Sequence, residues 1–184
     1  MGTTAGILKI AVVGAESTGK TSLCQWLARR KTACCTREDL RYWVSRNKRT
    51  PKQDEQARLV KAQLRQERMA LQKASRNNSC WIFFDSAPLV TAAYSQYYFN
   101  DTSLNETALS HHQRRYSATL FCTPQGLDWV AEPGQRDSPE AQMAVHHILS
   151  DLLESLKSHP TITLAGPLNQ RTELALAFLN GLHS

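Results

Sequence analysis

One octapeptide constrains this chain more than any other feature. Gly14-Ala15-Glu16-Ser17-Thr18-Gly19-Lys20-Thr21 fits the pattern GxxxxGK[ST]. Its surroundings suit it. Ile7 to Val13 is an apolar, β-branched run that reads as a buried strand, and Gly19 to Arg30 reads as a helix with Leu23, Trp26 and Leu27 on one face. The residue types follow from what such a turn must do. Gly14 and Gly19 let the backbone curl until several N–H groups point at one anion. The helix that follows presents its positive end to the same place. Lys20 adds a point charge that can reach β- and γ-phosphates, and the Thr21 hydroxyl can bind Mg²⁺. Glu16, Ser17, Thr18 and Ser22 complete the candidate phosphate contacts.

The rest of the chain alternates in the same way. Residues 33–36, Cys80 to Phe84, Ser117 to Cys122 and Thr161 to Leu164 read as further strands. Helices are expected over Asp54 to Arg76, from Pro88 to Tyr97 or Tyr98, over Glu140 to Lys157 and over Gln170 to Leu182. Five strands separated by helices predict an α/β, three-layer P-loop NTPase fold, with a parallel sheet sandwiched between helices. At 184 residues the chain suits a single domain, 1–184. Residues 125–139, rich in Gly, Pro, Asp and Gln, read as a mobile lid loop.

Charge is unevenly placed. Residues 1–76 hold 17 Lys and Arg against 6 Asp and Glu, whereas residues 77–184 hold 5 against 10. The basic half invites an anionic partner, for which nucleic acid, a membrane surface and a polyphosphate are the candidates. In the long helix, Ala57, Val60, Leu64, Leu71 and Ala74 predict the buried face. Arg58, Lys61, Arg65 and Arg68 form a basic stripe on another face, read as solvated or as reaching a ligand's phosphates. No helix-turn-helix or RNA-recognition signature accompanies the stripe, so nucleic acid is disfavoured.

No apolar run approaches the roughly 18 residues of a membrane helix. The N-terminus lacks a signal-peptide pattern, so a cytoplasmic location is expected. The cysteines, Cys24, Cys34, Cys35, Cys80 and Cys122, are odd in number and scattered, which predicts free thiols rather than a disulfide framework or zinc knuckle. The pairs His111-His112 and His146-His147 point about 100° apart on a helix and cannot share one ion.

Asp85 ends the apolar run Cys80 to Phe84, where P-loop proteins place an acid that holds or orients Mg²⁺. Asp85-Ser86-Ala87-Pro88 lacks the Gly of a GTPase switch, and no Asn-Lys-x-Asp element follows, so ATP is favoured over GTP. The length also leaves little room for the lid and sensor elements of a motor.

The run from Lys9 through Gly14-Ala-Glu-Ser-Thr-Gly-Lys-Thr-Ser-Leu23 resembles the NadR-type P-loop family, which includes the ribosylnicotinamide kinase domain of a bacterial NAD-biosynthesis regulator. Glu38-Asp39-Leu40-Arg41 resembles that family's Glu-x-x-Arg element. Gln63, Asp85-Ser86 and Thr91 fall at familiar places. Asp128 to Arg136 resembles its lid pattern Pro-Trp-x-x-Asp-Gly-x-Arg, and Gly166 with Arg171 resembles its final Gly and Arg beside the adenine. The chain departs at Ala87, where a second Asp is usual, and at Asp128, Glu132 and Pro133 in the lid. The nucleotide half of the resemblance is therefore the stronger.

The expectation is an ATP-dependent kinase acting on a nucleoside-like hydroxyl such as that of nicotinamide riboside. Lys20 and the loop amides would hold the triphosphate, Thr21 and Asp85 the Mg²⁺, and Arg136 would close over the γ-phosphate. Asp85, ahead of Glu38, would accept the substrate proton. Arg41 could bind substrate or pair with Glu38, and Trp43, Tyr94 and Tyr98 could stack on a flat ring or pack in the core. The rival readings are an ATP-hydrolysing regulatory module without an acceptor, and a nucleic-acid-binding protein.

Overall fold

The computed structural model describes residues 6–129 and 138–182. Five parallel strands form one sheet: β1 (Leu8–Val13), β2 (Cys34–Cys35), β3 (Trp81–Asp85), β4 (Ala118–Cys122) and β5 (Thr161–Leu164), in the order β2-β3-β1-β4-β5. The helices are α1 (Lys20–Arg30), α2 (Asp39–Asn47), α3 (Gln53–Arg76), α4 (Pro88–Phe99), α5 (Asn105–Arg115), α6 (Pro139–Glu154) and α7 (Leu168–Gly181). The α/β sandwich expected from the alternation is present.

The three inner strands β3, β1 and β4 are buried on both faces because both faces are covered. In β1, Ile10 and Val12 pack with Leu23 and Leu27 of α1 and Ala175 and Leu179 of α7. Ala11 and Val13 face the other layer, with Leu89 and Ala93 of α4 and Val145 and Leu149 of α6. β1 is central, and its register aligns Val12 with Asp85 on one side and with Leu120 on the other. Its two neighbours lead in opposite directions, so a crevice opens at the carboxyl end of β1.

Three expectations need correction. Cys24 and Cys35 are joined in a disulfide with Cα atoms 6.4 Å apart, because the parallel sheet lays β2 beside α1; Cys34, Cys80 and Cys122 are free. The buried face of α3 runs through Gln56, Leu59, Val60, Gln63, Glu67 and Ala74, leaving Ala57 exposed. Glu67 tolerates burial because the Tyr116 hydroxyl donates to it at 2.6 Å and His111 lies 3.2 Å away. Finally, α5 was not expected: its buried residues are only Ala108 and His112, so it has no apolar stripe to betray it. Among the described residues no helix is long and apolar enough to cross a membrane.

Candidate active site

The octapeptide forms the turn between β1 and α1. A Cβ on Gly14 would collide with the Cys122 carbonyl oxygen and lie 2.7 Å from Thr18 Oγ1. Glycine is therefore required by space. Gly19 caps α1 at φ 73° and Ser17 sits at φ 58°, so the backbone turns left-handed at two points of the loop. Such turns gather amide groups into a concave nest for an anion. Inside the turn the Thr18 hydroxyl and Lys20 Nζ both donate to the Ala15 carbonyl, at 2.8 and 2.7 Å. Lys20 is almost wholly buried, held ready beneath the loop.

Asp85 closes β3 beside Thr21 and is 3% exposed. Its backbone N–H donates to Thr36 Oγ1 at 3.0 Å, which ties β3 to the end of β2. Burial pushes its carboxyl above the ordinary aspartate value; a hydrogen bond from Thr21 opposes the shift, and the charge of Glu38 adds to it. Its Oδ1 is buried with no hydrogen-bond partner. An unsatisfied carboxylate oxygen beside a Thr hydroxyl fits a hard divalent cation, which prefers such oxygen donors. Thr21 and Asp85, the residues expected to hold Mg²⁺, are thus brought together with donors suited to that ion.

A cavity of about 980 Å³ opens over the loop. One part is bounded by Glu16 to Ser22. The other is walled by Glu38, Arg41 and Val44 of the α2 region, Leu59 of α3, and Tyr94 and Tyr98 of α4. A smaller cavity of about 290 Å³ adjoins it and reaches Asp85; Thr21, Glu38 and Arg41 border both. Arg41 lies 3.6 Å from Glu38 on the exposed side of α2. The rings of Tyr94 and Tyr98 stack with centroids 6.0 Å apart.

Several expected contacts fall elsewhere. Trp43 does not line the cavity among the described residues; its ring carries the Arg49 guanidinium 4.8 Å away, and Arg49 also grips Glu55 through two 2.7 Å hydrogen bonds. Arg171, expected beside the adenine, is 1% exposed and donates to three backbone carbonyls, those of Gly166, Thr18 and Thr123. It braces the loop from behind and does not line the cavity. Arg136 and the lid pattern up to it lie outside the described residues from Val130 on. Arg58, Lys61, Arg65 and Arg68 are exposed on α3 and do not line the cavity.

Sequence reasoning missed Gln142, whose Nε2 donates to the Glu16 carbonyl at 2.7 Å. Its only local signal is a polar side chain on the otherwise apolar inner face of α6, where it is 5% exposed. Gln56 of α3, buried at the cavity wall, was missed for the same reason.

A family model described as an AAA domain matches residues 9–171. Among solved structures, the chain resembles a NadR protein in complex with NAD and AMP-PNP, with a TM-score of 0.76 and 22% identity, over 96% of this chain and 49% of that one. A second NadR structure, in complex with NR, matches with a TM-score of 0.75 and 19% identity, again over 96% and 49%. The chain thus spans about half the length of these NadR proteins. Deoxyadenosine kinase from M. mycoides, with products dCMP and a flexible dCDP bound, matches with a TM-score of 0.64 and 13% identity, over 95% and 100%. Thymidylate kinase from Ehrlichia chaffeensis matches with 0.68 and 16%, over 95% and 99%. No curated protein sequence matches significantly.

Proposed function

The chain belongs to the AAA-domain family whose model spans residues 9–171, and from that premise we propose that it is a kinase transferring the γ-phosphate of ATP to a hydroxyl of a small nucleoside-like acceptor. The observation that carries this reading is the cavity. About 980 Å³ lies at the upper end of ordinary ligand pockets, and much of its wall comes from residues outside the phosphate loop. Space beyond the phosphates has a use where a second small ligand must be held beside the nucleotide. Its wall combines aromatic faces, Tyr94 and Tyr98, with the acid Glu38. That mixture suits a flat ring carried on a hydroxyl-bearing sugar.

The roles follow from position. The loop amides and Lys20 hold the triphosphate. Thr21 and Asp85 would hold Mg²⁺, which would neutralise charge on the transferring phosphate. The acceptor oxygen forms its bond to the γ-phosphorus as the bond to the β–γ bridging oxygen breaks, and ADP leaves. Glu38 borders both cavities and is therefore assigned the acceptor's proton, in preference to Asp85, whose carboxylate is assigned to the metal. Arg41 keeps Glu38 oriented. Arg136 is proposed to cover the γ-phosphate and stabilise its charge during transfer.

The NadR and kinase structures named above bind NR, NAD, AMP-PNP and deoxynucleotides, which supports a nucleoside-like acceptor. Incubating purified protein with Mg-ATP and a nucleoside panel that includes nicotinamide riboside tests the reading. Phosphorylated acceptor with stoichiometric ADP supports the kinase. Slow ADP release, indifferent to every acceptor, would establish the regulatory module instead.

A further inference from the structure

Glu16 places in the phosphate-binding turn a charge that opposes that of the expected ligand. Its surroundings are equally specific. Tyr94, reaching across from α4, accepts a hydrogen bond from the Glu16 backbone N–H at 3.0 Å. The same hydroxyl donates to Glu16 Oε2. Gln142, from the first turns of α6, donates to the Glu16 carbonyl at 2.7 Å. The backbone N–H, the carbonyl and one carboxylate oxygen of Glu16 are thus all held by two helices. The other carboxylate oxygen, Oε1, is buried with no hydrogen-bond partner. Nothing else in the described structure fixes which way this carboxylate lies.

We propose that Tyr94 is a positioning residue for nucleotide binding: with Gln142 it fixes the phosphate loop at Glu16 and holds that residue's carboxylate away from the incoming phosphates. The proposal rests on the reading that the loop binds ATP. Turning the Glu16 N–H toward Tyr94 leaves the amides from Ser17 onward to face the anion. Lys20 Nζ lies on the carbonyl of the adjacent residue, Ala15, so a released carboxylate would compete with phosphate for the loop's cation. Burial raises the Tyr94 phenol well above its ordinary value, and the neighbouring Glu16 charge adds to this, so the hydroxyl remains a donor at any working pH.

A double-mutant cycle on Mg-ATP affinity, measured by calorimetric titration, tests the proposal. Tyr94→Phe keeps the ring and its packing but frees the carboxylate; its Kd should rise tenfold or more. Glu16→Gln removes the opposing charge and should tighten Kd by two- to fivefold. In the double variant the loss caused by Tyr94→Phe should largely vanish, leaving Kd within about threefold of that of Glu16→Gln. Gln142→Leu should raise Kd without depending on the charge at position 16. A role confined to packing would lower thermal stability while leaving this coupling at zero. Tyr94→Phe binding within twofold of wild type, or strictly additive effects, would overturn the proposal alone. A wild-type protein that fails to bind Mg-ATP would overturn the nucleotide reading and this proposal together.

Discussion

Arg171 Nη1 donates to the Thr18 carbonyl at 2.7 Å, joining α7 to the phosphate loop across 153 residues of sequence. The same guanidinium holds the carbonyls of Thr123, after β4, and Gly166, after β5. One buried cation therefore ties together three segments at the carboxyl edge of the sheet. Arg171→Leu leaves three carbonyls without that donor and should cost about 3 kcal/mol or more. Arg171→Lys keeps the charge but cannot span all three, so roughly half that loss is expected. Urea unfolding measures both. A Leu variant within about 1 kcal/mol of wild type would show that the brace is dispensable.

The contrast between Arg171 and the octapeptide explains what could be read in advance. The loop is legible because its residue types answer to local demands: space at Gly14, a left-handed cap at Gly19, charge at Lys20. The sheet is legible because strands buried on both faces show as apolar runs, such as Trp81 to Phe84 ahead of Asp85. Arg171 is expected beside the adenine and braces the backbone instead, since its partners are carbonyls that carry no sequence signature. Trp43 reads as a stacking platform for a ligand, but its ring carries Arg49, and Arg49, not Trp43, lines the cavity. Gln142 and the buried polar face of α3 depend on tertiary partners, and α5 has almost no apolar face to detect.

The disulfide is a case of the same kind, and it is directly measurable. Cys24 and Cys35 close a loop of 11 residues, linking the helix that carries Lys20 to the strand that leads to Glu38. Thiol titration of the unfolded, unreduced chain should find three reactive groups, rising to five after reduction. Cys35→Ser should lower stability by up to about 3 kcal/mol, the loop-closure value for a ring of this size. Five reactive thiols before reduction would contradict the bond.

A buried histidine predicts the response to acid. His112 Nε2 lies 2.7 Å from Thr119 Oγ1, which lies 2.9 Å from His159 Nε2. Burial, with the neighbouring His159 adding to it, lowers His112 from 6.5 to about 3. The folded state therefore binds fewer protons than the unfolded chain between those values. Its contribution is complete above pH 6.5 and is lost as pH falls toward 3, by about 1.4 kcal/mol per pH unit for each such proton. His159 is shifted in the same direction and steepens the decline. Urea unfolding between pH 7.5 and 4.5 should give a shallower slope for His112→Gln than for wild type; equal slopes would remove His112 from the account.

Asp85 should show stability and binding moving in opposite directions. Its carboxyl lies above the ordinary 3.8, chiefly because it is buried. The folded state then holds more protons than the unfolded chain above pH 3.8, so the penalty for burying the charge grows as pH rises from there. Asp85→Asn removes the buried charge and should stabilise the ligand-free protein by roughly 1 kcal/mol. The same change removes the carboxylate assigned to Mg²⁺, so the extra thermal stabilisation that Mg²⁺ adds to ATP should disappear. Lys20→Ala should instead abolish the ATP-dependent shift with or without the metal. Thermal melts of the three proteins with ATP, Mg²⁺, both or neither separate these outcomes. An Asp85→Asn protein that melts lower than wild type and keeps its Mg²⁺ response would make Asp85 a structural residue and leave the metal without its principal ligand.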